Sequence, residues 1–385
     1  MLKIGTRKNS IYPFMSMIFN FGCQVIIFLL NSDFFLFGHS KDSTLFLMLM
    51  FFAEFLSGLL LTLYEIAVFR ENTENENKKI MGIKLIYNPI VTPLNYNCYE
   101  IYFLIFVVAF FDFNQFLIST YYVKKLQTFS SIYLDARLRS VLTFFCAIGC
   151  WLLLNMKMYT HQIYSLLVII ICIIIVIITE LLFHISIGNK DEVEITPIVI
   201  IAIISGYFFN ANYEVIEKSL MEYNYINPFK LLFTEGVFGL MLTSSMLIIT
   251  NPFKPLKVYF ENVRYTQIQK YSLIICLMLF FLFSCGRNIY RISSNKIFSP
   301  TTRAFTDCIP DPLLIIFYYF YNKDHILHFI LSLIVTIIML FCSCIYNELF
   351  VLYCCGLEYN THHEISLRAT TANNMSEITE SESDE

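Results

Sequence analysis

Two strings in this 385-residue chain, SSIYLDARLRSVLTFF and SPTTRAFTDCIPDP, set an arginine and an aspartate four residues apart in apolar surroundings. On a helix that spacing puts Asp135 and Arg139, and likewise Arg303 and Asp307, on one face where they can pair. Arg137 points elsewhere and is freer to meet a ligand or a neighbouring helix. Guanidinium groups grip carboxylates or phosphates through two parallel hydrogen bonds, so Arg137, Arg139 and Arg303 are candidate contacts for an anionic solute. Their neighbouring aspartates compete for the same donors, and arginines near a helix start can also snorkel to the interface.

Other polar groups sit in equally apolar runs. Asp112 is followed by Asn114 and Gln115, and Thr301 and Thr302 flank Arg303. Asn210, Tyr213, Glu214 and Glu217 fall at helical spacing on one face, which either lines a pathway or marks a helix end. Glu235 is a candidate proton carrier, as is Asp112, although Gly236 and Gly239 beside it also suit close helix packing. Glu54 and Glu65 could pair across a bundle with Arg287 and Arg291. A charge at mid-bilayer costs about 2.5–3.5 kcal/mol even on a lenient insertion scale, so each of these groups is expected to face a cavity or a partner.

The elements that carry them are apolar. Hydrophobic residues make up 57% of the chain, aromatic residues 17% and charged residues only 15%, with a mean hydropathy of +0.63. No soluble domain of this size tolerates such a surface. A hydrocarbon layer of about 30 Å takes about 20 helical residues to cross. Ten runs of suitable length lie near 12–31, 43–69, 99–121, 129–153, 159–183, 195–217, 229–250, 269–293, 301–321 and 326–353. They are continuous rather than alternating, which predicts helices and excludes a β-barrel. The first run lacks a cleavage site for a signal peptide and is long enough to remain as a span.

The expected fold is thus all-α: a polytopic membrane protein of about ten transmembrane helices. Pro310 and Pro312 interrupt the ninth span, as in the broken helices of transporter sites. The fourth span of each set of five bears an Arg/Asp pair near its start, the pattern of two inverted five-helix repeats. The resulting division is a cytoplasmic N-terminus at 1–11, a first repeat at 12–183 with a polar loop at 70–98, a linker at 184–194, a second repeat at 195–355 and an acidic tail at 356–385. Seven acids against Arg368 leave that tail at −6 in a chain of net −4. It reads as a disordered cytoplasmic appendage. Basic residues divide almost evenly between the two faces, so the positive-inside bias is slight.

Most of the twelve cysteines lie inside apolar spans, where Cys behaves as a small hydrophobe, and no metal-site spacing occurs. Cys354 and Cys355 suit either S-palmitoylation or an interfacial structural pair. There is no HExxH, no Gly-x-Ser-x-Gly and no phosphate loop ending in Lys-Ser/Thr, so neither an enzyme nor an ATP-driven pump is expected. His325 and His328 read as interfacial.

The third to tenth spans resemble subfamily F of solute carrier family 35, nucleotide-sugar-transporter-like members of the drug/metabolite transporter superfamily. FFDFNQFLISTYY followed by SSIYLDARLRSVLTFF is similar to that family's Pro-Ala-Leu-Cys-Asp segment and its Leu-Arg-Gly span. This sets Asp112 at the family aspartate and Arg139, or its rival Arg137, at the family arginine. EVIEKSLMEYNYINPFKLLFTEGVFGLML is similar to a run of Glu-Glu-Lys, His-Pro and Thr-Glu-Gly-Phe-Gly, with Glu217, Lys218, Pro228, Glu235, Gly236, Phe238 and Gly239 matching. SPTTRAFTD resembles Ser-Ala-Thr-Thr-Arg-Met-Val-Leu-Asp through Ser299, Thr301, Thr302, Arg303 and Asp307, and IYNEL resembles a Tyr-Asn-Gly-Leu at the end of the last span. Ser140 departs from the family glycine, and Pro310-Asp311-Pro312 from its usual continuation.

The resemblance implies alternating access around a cavity lined chiefly by spans three, four, eight and nine. The expectation is a secondary transporter moving a small polar or anionic metabolite across an endomembrane, with no cofactor and no metal. Its candidate substrate-binding residues are Asp112, Arg137, Arg139, Asn210, Tyr213, Glu214, Thr302, Arg303 and Asp307. Its expected partners are the small-molecule substrate and the lipid bilayer, with a homodimer as an option and nucleic acid excluded. The alternative is a non-transporting membrane scaffold that recruits partners through the acidic tail.

Overall fold

The computed structural model describes residues 11–31, 43–75, 98–125, 130–187, 190–250, 267–322 and 326–350. Among these residues the regular structure is helical and there is no strand. The helices are α1 (Ile11–Asn31), α2 (Ser43–Asn75), α3 (Cys98–Lys125), α4 (Ser130–Leu138), α5 (Val141–Leu153), α6 (Thr160–Ile187), α7 (Lys190–Tyr223), α8 (Pro228–Thr250), α9 (Gln267–Ile297), α10 (Pro300–Cys308), α11 (Asp311–Asn322) and α12 (Ile326–Tyr346).

Eight segments are long and apolar enough to cross a bilayer: Leu47–Ala67, Tyr99–Ile118, Leu134–Leu153, Thr160–Phe183, Thr196–Tyr223, Pro228–Ile248, Ile274–Ile297 and Ile326–Tyr346. The chain is a multi-pass helical membrane protein. A spanning segment has no water to serve its backbone, so an apolar run of this length settles as a helix that bonds to itself.

Local chemistry explains the helix ends. Asn227 Oδ1 accepts from the Phe229 N–H at 2.8 Å, and Pro228 opens α8 where its missing N–H costs nothing. Ser299 caps α10, its Oγ accepting from the Thr302 N–H at 3.1 Å, with Pro300 next in line. After α5 the Leu154 N–H closes on the Cys150 carbonyl at 3.1 Å and Asn155 turns the chain with a φ of 50°. Asparagine tolerates that left-handed region better than most residues.

The run near 129–153, expected as one helix, is broken: α4 stops at Leu138, and Arg139 and Ser140 form a turn before α5. The interruption expected at the ninth span is present at Ile309 and Pro310, after which Pro312 falls in the first turn of α11. There the ring removes only a donor that would be unpaired anyway. Helix α2 runs to Asn75, into the stretch read as a loop, and α7 starts at Lys190, inside the expected linker. The tail at 356–385 and Cys354 and Cys355 lie outside the described residues.

Two crossings of long helices use glycine reciprocally. A Cβ on Gly58 of α2 would lie 2.4 Å from the Phe233 nitrogen of α8, and one on Gly236 of α8 would lie 2.4 Å from the Phe55 nitrogen of α2. The backbones therefore touch, the close approach that small residues permit in membranes. Between α1 and α9, a Cβ on Gly22 would lie 2.5 Å from the Phe283 ring, and one on Gly286 would lie 2.6 Å from the Phe19 ring. In all four cases the partner phenylalanine is three residues before the opposing glycine. Apolar clusters fill the bundle on either side, one around Leu138, Leu142, Ile169 and Met339 and another around Phe51, Phe113 and Phe280.

Candidate functional site: a buried charge network

The largest polar group gathers on α2, α3, α7, α8, α9 and α10. Arg303 bonds to Glu214 and to Asp307, the latter at 2.9 Å, and Asn20 Nδ2 of α1 donates to Asp307 Oδ1 at 3.0 Å. One α7 turn beyond Glu214, Glu217 accepts from Asn295 Nδ2 of α9 at 2.7 Å. Arg291, also on α9, holds Nη2 at 3.7 Å from Glu54, 3.4 Å from Glu217 and 3.9 Å from Glu235. Its Nη1 lies 3.7 Å from Glu214. The guanidinium carbon sits 4.4 Å from the centre of the Tyr213 ring, and the Tyr213 hydroxyl donates to Glu235 at 3.5 Å. Cation–π contact and ionic attraction thus act on one side chain.

Asp112 of α3 is buried within electrostatic reach of Arg287, Arg291 and Arg303, and its Oδ2 has no hydrogen-bond partner among the described residues. Asn210 is buried on α7, one turn before Glu214. The central cluster thus unites Asp112, Tyr213, Glu214, Arg303 and Asp307 of the sequence candidates.

Arg139 belongs to a second group. It pairs with Asp135 at 3.1 Å, as their spacing requires, and with Asp311 at 2.7 Å. Gln24 of α1 accepts from it at 3.1 Å, and the Tyr207 hydroxyl donates to Asp135 Oδ1 at 2.9 Å. Arg139 lies in the break after α4, and Asp311 directly follows the break after α10. One ion pair therefore ties the two interruptions together.

Arg137 points away from both groups. It bonds to Glu180 of α6 and to the Ser332 hydroxyl of α12 at 3.0 Å. His328 completes this third group, its Nε2 lying 3.1 Å from Glu180 and 3.3 Å from Arg137, with its ring stacked 4.2 Å from that of Phe183. His328, read from sequence as interfacial, lies in the first turn of α12 and is packed among ionic partners. Thr302 stands apart again: its hydroxyl helps cap α10 and donates to Asn347 at 3.2 Å. Lys218 closes the end of α9 by donating to the Lys296 and Phe298 carbonyls at 2.8 and 2.7 Å.

Sequence reasoning missed Glu180, Asn20, Gln24, Tyr207 and Asn295, and noted Asp311 only as part of a helix-breaking string. Glu180 had a usable signal, being the lone carboxylate in the apolar run of α6. The chain matches no known protein-family model, and no curated protein matches it.

Proposed function

We propose that the chain is a secondary transporter that moves a small polar metabolite across an endomembrane by alternating access. Ten crossings result when α4 with α5, and α10 with α11, are each counted as one broken span and α1 is added. Support for two inverted repeats of five comes from the packing. The first crossing lies on the eighth as the third lies on the sixth, while second and seventh, fourth and ninth, and fifth and tenth pack on each other. Each contact maps onto another, or onto itself, when five is added to both positions. The broken fourth and ninth crossings correspond in the same way.

The observation that carries the function is the central charge network. Its members come from helices of both repeats, and structural membrane proteins have little use for so many buried ions. Networks that re-pair between two arrangements let a carrier bias its inward-open and outward-open states. Arg137, Arg139 and Arg303 are all engaged by the protein's own carboxylates, which favours a polar over an anionic solute.

Counterflow into liposomes, with a panel of nucleotide sugars, phosphorylated metabolites, amino acids and cationic drugs, tests this. Saturable flux of one class is expected, falling on the order of tenfold or more in Arg303→Ala. No flux for any solute from folded protein would overturn it and move the weight to a scaffold, whose function should then be lost when residues 357–385 are deleted.

A further inference from the structure

The central network is unbalanced. Among the described residues, the buried Glu54, Asp112, Glu214, Glu217, Glu235 and Asp307 face only Arg287, Arg291 and Arg303, so full ionisation leaves net −3. Lys218, next to Glu217, does not supply the missing charge, because its ammonium is turned to Glu222 at 3.0 Å and to two carbonyls. A buried like-charge cluster needs a positive guest.

Arg291 shows where the imbalance is concentrated. Charge-assisted hydrogen bonds normally close to about 2.7–2.9 Å, and Arg139 and Arg303 reach 2.7 and 2.9 Å with their aspartates. Arg291, 1% exposed, instead shares one nitrogen among three carboxylates at 3.4–3.9 Å. Among the described residues its Nε and Nη2 make no hydrogen bond, and neither do Glu54 Oε2, Glu217 Oε1 and Glu235 Oε1. Asn295, wholly buried and bonded to Glu217 through Nδ2, likewise leaves Oδ1 without a partner among the described residues. An arginine so loosely held by three acids is poised to exchange partners.

Size selects the guest. The three carboxylates are 0–2% exposed and close around Arg291. An ammonium solute or a metal ion needs a cavity, and no group that could hold a metal occurs among the described residues. A proton needs no cavity. We propose that Glu54, Glu217 and Glu235, gathered on Arg291, are the proton-binding site of a proton-coupled carrier.

Each proton converts a carboxylate into a neutral acid and removes one attraction on Arg291, leaving the guanidinium to Glu214 and to the Tyr213 ring. Glu54 lies one turn before Gly58, and Glu235 is adjacent to Gly236. Proton loading therefore changes the charge at the crossing of α2 and α8. Of the coupling, though not of the binding, the transporter reading is the premise.

Two measurements separate the claims. Infrared difference spectra of the wild-type protein in lipid, acid minus alkaline, are expected to show the carbonyl stretch of buried carboxylic acids. That band should shrink in Glu217→Gln and Glu235→Gln, isosteric changes that keep the helix contacts. Liposomes loaded with the pH dye pyranine should report proton movement along with the solute found by counterflow. In the same variants, net uptake should stop responding to an imposed pH gradient. Solute flux without the band and without pH response overturns the inference and leaves the carrier standing. The band without flux for any solute retains the site and overturns the carrier. Should a variant fail to fold, the wild-type band and pH response decide.

Discussion

Asp112 and Asp307 are both buried aspartates of one network, yet they are held differently. Asp307 bonds to Arg303 and accepts from Asn20, whereas Asp112 leaves Oδ2 without a partner among the described residues. Asp307→Asn should lower stability by about 3–5 kcal/mol, the usual cost of breaking a buried ion pair. Asp112→Asn removes a negative charge from an acid-rich cluster and should leave the melting temperature in detergent unchanged or higher. The Arg137–Glu180 pair offers a second test. Glu180→Gln removes the carboxylate that neutralises the buried Arg137 guanidinium, and Arg137→Met combined with Glu180→Leu should recover most of the loss. The local pairs, Asp135 with Arg139 and Arg303 with Asp307, were legible in the sequence because both partners lie on one helical turn. The partners of Arg137, and the ring around Arg291, were not, because periodicity along a helix carries no information about which other helix it will face.

At the scale of elements, the reciprocal glycine crossings make the sharpest prediction. Gly58→Ala and Gly236→Ala each drive a methyl into backbone that has no rotamer to yield, and should cost about 1–3 kcal/mol or more. Gly206→Ala is the control. A Cβ there meets only Ile118, at 3.7 Å, so the helix should gain about 0.5–1 kcal/mol from the better helix former. Thermal unfolding of the three variants checks both signs. The value of Gly236 was readable in its neighbourhood to Glu235 and Gly239, but that of Gly58 was not. The Pro310 break was legible for a covalent reason, the lost N–H. The Arg139–Ser140 break has no such signature, since both residues enter ordinary helices, and it emerges only from the bundle around it.

For the whole molecule, the apolar composition alone was enough to read a helical membrane protein, and run lengths located most crossings. It did not distinguish eight crossings from ten, because α1 and the α10–α11 pair sit near the limit of length and hydropathy. If α10 and α11 together make one crossing, Ile297→Cys and Leu327→Cys, on a background without other reactive cysteines, should react with an impermeant maleimide from opposite sides of the membrane. Reaction from one side would lower the count to nine.

The two glycine crossings also have a mechanical meaning. A lever turns about the point where its parts touch without intervening material, and here backbone rests on backbone at Gly58 and Gly236. In a rocking carrier that point is the fulcrum. Spin labels near the crossing should keep their separation through a transport cycle, while labels toward the outer ends of α2 and α8 trade distance in opposite senses.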